Sequence, residues 1–155
     1  MHHIQPTNKT MHHTLNGIII STLLIATTLF SNPLMAKPQG DVIDNELQTH
    51  IDLVENALRT DSYNKRCRGM SVSKALNQVN RLLVTKYSLT ANNFIKTFMD
   101  RDVRGLKSAR QHTFNKNLNL MGGCTVAKSE GIVEQLKIDF KSLYEQAEKS
   151  PWYPE

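Results

Sequence analysis

The chain has 155 residues, with 19 Lys and Arg against 14 Asp and Glu for a formal net charge of +5, and it holds two Cys, six His and one Trp. A chain of this length supports one domain with a core of its own, not several. Two Cys without any CxxC or HxxxH spacing give no structural zinc site, and the lack of a phosphate loop or a Gly-x-Ser-x-Gly elbow leaves nucleotide hydrolysis and acyl transfer without support.

Gly17 to Phe30 reads GIIISTLLIATTLF, an uncharged run of about 14 residues where a membrane span needs roughly 20. It reads as the apolar segment of a cleaved secretory signal peptide over residues 1–36, with Pro33 ending its helix and Leu34 and Ala36 at the positions the peptidase reads. The segment before it carries only Lys9 and four His, and its repeated Met-His-His leaves the start at Met1 or Met11. No Cys lies near the cleavage position, which excludes a lipoprotein. The expectation is therefore a periplasmic or secreted protein whose residues 37–155 form a single helical domain with no membrane span after cleavage. In an oxidising compartment its two Cys, Cys67 and Cys124, pair, and closing so long a loop restricts the unfolded chain by roughly 4 kcal/mol.

After a short leader, Lys37 to Gly40, the residues Ile43, Leu47, Ile51, Val54 and Leu58 recur at helical spacing, with Asp41 or Asp44 as the cap. Asp61-Ser62-Tyr63-Asn64 is turn chemistry and places Cys67 on or beside a connection. Ser71 then caps a helix striped by Val72, Leu76, Val79, Leu83 and Tyr87, widened by Ala75 and Leu82. Thr90 caps a third helix carrying Phe94, Ile95, Phe98 and Met99, which kinks or breaks at Asp100-Arg101-Asp102 before continuing through Val103, Leu106 and Ala109. Phe114 and Leu118 lead to a stop at Gly122-Gly123, and Thr125 opens the last helix, whose stripe is Ile132 or Val133, Leu136, Phe140, Leu143 or Tyr144, and Ala147. Pro151 ends it. The expected architecture is all-α, a small up-and-down bundle of four or five helices with one disulfide.

His50 and His112, the two His left after cleavage, have no acidic or Cys partner at ligand spacing and read as solvated or half-buried helical residues. Asp100 and Asp102 point to nearly opposite faces of a helix and read as caps. The chain thus reads as non-enzymatic, with no cofactor. Charge is uneven: Asp41 to Glu55 is acidic, whereas Arg59 to Lys116 holds 13 basic residues against three acidic ones. After export, nucleic acid is not the partner of such a surface, which leaves an acidic protein, an anionic polymer or lipid, or a face that is merely solvated. The Pro151-Trp152-Tyr153-Pro154 tail reads as a hydrophobic plug over one end of the bundle.

Arg66-Cys67 and then Asn119-Leu120-Met121-Gly122-Gly123-Cys124-Thr125-Val126-Ala127-Lys128-Ser129, followed by Ile132 and Leu136, resemble the periplasmic immunity proteins of bacterial type VI secretion amidase effectors. The likeness is one of spacing: two Cys separated by two or three helices, a Met before the second and a Ser opening a last amphipathic helix. The chain departs from the family in a longer first helix, in Gly122-Gly123 before Cys124 and in its basic middle. The resemblance implies an inhibitor that occludes the groove of a peptidoglycan-cleaving amidase, often as a homodimer. Candidate partner-binding residues are Arg101, Arg104, Lys107, Arg110, Gly122 and Gly123. Two other classes compete with it: an envelope adaptor or stress protein that binds another envelope component, and a helical-bundle carrier of haem or another ligand, with Met99, Met121, His50 and His112 as possible axial ligands.

Overall fold

The computed structural model describes residues 39–154, with side chains from residue 45 onward, so the signal-peptide reading lies outside the described residues. Six helices follow one another: α1 Gln39–Arg68, α2 Lys74–Tyr87, α3 Ala91–Phe98, α4 Val103–Leu120, α5 Gly123–Ser129 and α6 Ile132–Lys149. Helix α1 is the central rod, and α6, α2 and α4 pack along it. Among the described residues there is no strand, and no helix is long and apolar enough to cross a membrane.

The apolar stripes read from the sequence form most of the core. Leu53, Val54, Ala57 and Leu58 of α1 meet Leu76, Val79 and Leu83 of α2, Phe94 and Ile95 of α3, and Ala147 of α6. A second, smaller cluster gathers Tyr63, Phe114, Leu118, Ala127, Val133 and Leu136, with Cys67 and Cys124 packed against it. The expected disulfide is present and joins the last turn of α1 to the first turn of α5.

Six helices stand where four or five were expected, and the differences have local causes. The first helix begins at Gln39, so the supposed leader and both candidate caps, Asp41 and Asp44, fall within it. It also runs straight through Asp61-Ser62-Tyr63-Asn64, whose side chains are engaged by other elements or by the helix itself. Asp61 reaches across to α2 and accepts from the backbone N–H groups of Ala75 and Leu76, both at 3.0 Å. Ser62 bonds back to the Leu58 carbonyl at 2.7 Å, and Tyr63 is buried in the second cluster. Helix α2 accordingly starts at Lys74, not after Ser71, and takes its cap from Asp61, since Ser73 makes no side-chain cap bond. Val72, placed on the α2 stripe, stands in the connection and is exposed. At the other end, Gly131 at φ +73° separates a short α5 from α6, so the last helix opens at Ile132 and not at Thr125.

Several boundaries fall where the sequence put them. The Thr90 hydroxyl accepts from Asn93 N–H at 3.2 Å, and Asn80 of α2 accepts from Ala91 N–H at 2.9 Å, so α3 is capped both locally and from its neighbour. The chain breaks at Asp100 to Asp102, and Asp102 caps α4 by accepting from Gly105 N–H at 2.9 Å. Helix α6 ends at Lys149, and its last carbonyls are held by Lys86 of α2, whose Nζ donates to Ala147 O at 2.8 Å, to Glu148 O at 2.7 Å and to Ser150 O. A cation on the negative end of a helix answers both its unpaired carbonyls and its dipole.

The tail closes the larger core. Trp152 is buried against His50, Tyr87, Phe94 and Phe98, with ring centroids 4.7 to 6.0 Å apart. His50 is not solvated or half-buried, as the sequence suggested, but has no exposed surface at all. Its Nδ1 lies 2.7 Å from the Glu46 carbonyl, which only accepts, so Nδ1 carries the proton; the Tyr87 hydroxyl then donates to Nε2 at 2.8 Å. Burial lowers the His50 pKa, partly offset by the bond to Glu46, while Lys86 lowers it further. Burial also pushes the Tyr87 phenol up to about 12, which keeps its proton available for Nε2.

Candidate functional site

Helix α4 carries or borders every candidate partner-binding residue, yet it does not gather them. Arg101, in the turn before α4, and Arg104, in its first turn, are exposed and point their charge to solvent. Lys107 is half-buried and donates to Asn92 Oδ1 at 2.7 Å. Arg110 is spent on Glu55 of α1, with Nε 2.7 and 2.8 Å from its two carboxylate oxygens. Gly122 and Gly123 lie at the opposite end of this 18-residue helix, about 25 Å away along the axis.

Those two glycines make a turn that protrudes. Gly122 and Gly123 sit at φ +100° and +86°, where other residues are strained, and a Cβ on Gly122 would come within 2.8 Å of Val126 Cγ2. The turn lifts Leu120, 77% exposed, and Met121, 42% exposed, away from the core. Cys124 follows at once, so the disulfide to Cys67 fastens this apolar knuckle to the end of α1. Sequence reasoning found the glycines and missed the two side chains they present. The signal was there, because Leu120 stands two residues after the buried Leu118 and is out of step with the helical stripe.

A cleft runs between the second half of α1 and α4, with the α1–α2 connection and the start of α2 at one end. It consists of two adjoining hollows of about 190 and 260 Å³ that share Ser62, Lys65 and Gln111. Arg66 and Asn115 line one of them, and Lys107 and Asp61 line the other. Among the described residues the Lys65 ammonium meets the Gln111 amide oxygen alone, at 3.3 Å. Burial lowers the Lys107 pKa, and raises that of Asp61, where the two α2 backbone bonds pull it back down. Asn115 Oδ1 is buried and has no hydrogen-bond partner among the described residues.

Two further grooves flank α6. One, against α1, is lined by Asp52, Glu55, Arg59 and Asp139. The other, against α2, holds the Phe140 and Tyr144 rings, with Arg81 and Lys141 at its margin. Among the described residues no three His, Cys, Asp or Glu side chains come together as a metal-holding group. The axial-ligand reading for haem loses His50, because both its ring nitrogens are engaged and aromatic rings enclose it. Met121 and His112 lie on the exposed surface of the knuckle and of α4. No protein-family model matches this chain, and neither a curated protein nor a solved structure does.

Proposed function

We propose that this chain is an exported, non-enzymatic protein-binding domain that acts as an immunity protein, an inhibitor of a periplasmic cell-wall amidase. The observation that carries the reading is the knuckle: Leu120 and Met121 are exposed apolar side chains on a turn that a disulfide and two left-handed glycines hold rigid. An exposed apolar anchor costs solvation unless a partner covers it, and a preorganised one loses little conformational entropy on binding. The resemblance around Met121 and Cys124 supplies the kind of partner, and the predicted presequence supplies the compartment in which such a toxin must be met.

The test is capture by the mature protein, from about Lys37, of the products of the neighbouring genes, together with protection of peptidoglycan from digestion. Capture of a cell-wall hydrolase with loss of its activity, weakened about tenfold or more by Leu120→Asp, supports inhibition through the knuckle. Capture of a non-hydrolase envelope protein, or of nothing, overturns it and favours an adaptor. Sedimentation of the free protein decides whether the knuckle pairs with a second copy of itself.

A further inference from the structure

The cleft between α1 and α4 gathers cations from both helices. Lys65, Arg66 and Lys107 line it, and among the described residues none of them has a carboxylate within ion-pair distance. The two lysines are met by neutral amide oxygens instead, Gln111 for Lys65 and Asn92 for Lys107. The acid that does border the cleft, Asp61, has both carboxylate oxygens committed to the α2 backbone. Arg110, one turn from Lys107 on the same helix, shows the contrast, because its charge is balanced within the fold by Glu55.

A half-buried ammonium without a counter-charge is costly in a folded protein, and Lys107 shows that cost as a lowered affinity for its proton caused by burial alone. The uncompensated charge lines a hollow, whose remaining wall mixes hydroxyl and amide groups with the apolar Leu58, Met70, Val72 and Leu76. We propose that this cleft receives an acidic segment of a partner protein, whose side-chain carboxylates sit among Lys65, Arg66 and Lys107. This deepens the protein-binding reading and rests on it for the source of the carboxylates. Lys65 and Arg66 come from α1 and Lys107 from α4, and cations contributed by two helices suit carboxylates spaced along one chain. Asn115, contributed by α4 where Arg66 comes from α1, has among the described residues no partner for its amide oxygen, and turning that amide toward the cleft gives an incoming backbone N–H its acceptor.

The experiment titrates the mature protein with hexaglutamate, with hexaglutamine and glutarate as comparisons, and follows backbone amide shifts and heat. The expected result is saturable binding of hexaglutamate alone, weakened by salt, with shifts centred on Lys65, Arg66, Lys107 and Gln111. Combining Lys65→Gln with Lys107→Gln weakens it about tenfold, and the exposed Arg66→Gln alone lowers affinity without disturbing the fold. Arg101→Gln with Arg104→Gln, outside the cleft, leaves it within about twofold. Equal effects of the two double variants, or shifts spread over all basic residues, overturn the site. Glutarate binding as tightly as hexaglutamate overturns the segment and points to a free small carboxylate. Hexaglutamate bound in the cleft while the protein captures no hydrolase sinks the inhibitor reading and keeps the cleft. A captured hydrolase with no hexaglutamate binding does the reverse.

Discussion

At one end of the bundle Trp152 packs among His50, Tyr87, Phe94 and Phe98, and closure is made of rings and hydrogen bonds over a core of 16 buried residues. Near the other end of α1, Cys67 and Cys124 close a core of six. The difference follows from how much apolar surface each end can bury. Where the core is large, a tail and a buried polar pair complete it; where α5 offers Ala127 as its single buried residue, packing alone is too little and a covalent bond takes over. The proposed binding features, the knuckle and the cationic cleft, both involve residues of the disulfide-bound end. A staple there fixes geometry without needing a deep core beneath the exposed side chains.

The comparison is broken most severely by removing the staple. Its loop of 57 residues gives about 4 kcal/mol of stabilisation on the chain-entropy model. Cys67→Ser with Cys124→Ser is expected to lose that amount in urea unfolding. Hydrogen exchange of the folded variant should rise in α5 and the end of α1 and not around Trp152. Trp152→Ala attacks the other end and is expected to cost about 3 kcal/mol, at the low side for a buried Trp because the residue lies on a tail. If its exchange pattern matched that of the cysteine variant, the two ends would be one cooperative unit and the contrast would fail.

Smaller changes sharpen the distinction. Tyr87→Phe leaves His50 Nε2 buried and unpaired and is expected to cost about 2 kcal/mol at pH 8. His50 also gives this end a pH dependence. Its folded pKa lies below the ordinary value of 6.5, so the unfolded chain takes up the proton first as pH falls. The contribution is complete above 6.5 and is lost below it, at up to about 1.4 kcal/mol per pH unit until the folded state also protonates. His50→Gln should remove that component from stability measured between pH 7 and 5, and an unchanged slope would refute the assignment. Asp61→Asn, which weakens the cap that α1 gives α2, is expected to cost about 1 kcal/mol. The loss should appear as fraying of the first turn of α2.

These helices were legible where one side chain serves its own segment. The α2 stripe from Leu76 to Tyr87, the Thr90 cap and the Gly122 stop all act within a few residues of themselves. They were illegible where a side chain serves a distant one. Asp61 signals a turn locally but caps α2, Asn80 caps α3, and Lys86 closes α6 from 61 to 64 residues away. His50 misled for the same reason, since its partners Tyr87 and Trp152 come from other parts of the chain. The site was half visible: the glycines announce a turn, whereas the cleft exists only because α1 and α4 pack side by side. Gly131, between Ala127 and Val133, breaks a helix that the apolar spacing alone carries straight through.

Helix α1 finds its main neighbour in α6, the first and last of the six in chain order. A polypeptide that emerges N-terminus first, from a ribosome or through a translocation pore, therefore shows the face of α1 bearing Leu53, Val54 and Ala57 long before α6 arrives to help cover it. Throughout that interval only the elements between them, α2 and α4 above all, are there to cover that face, and Cys67 waits for Cys124 in α5.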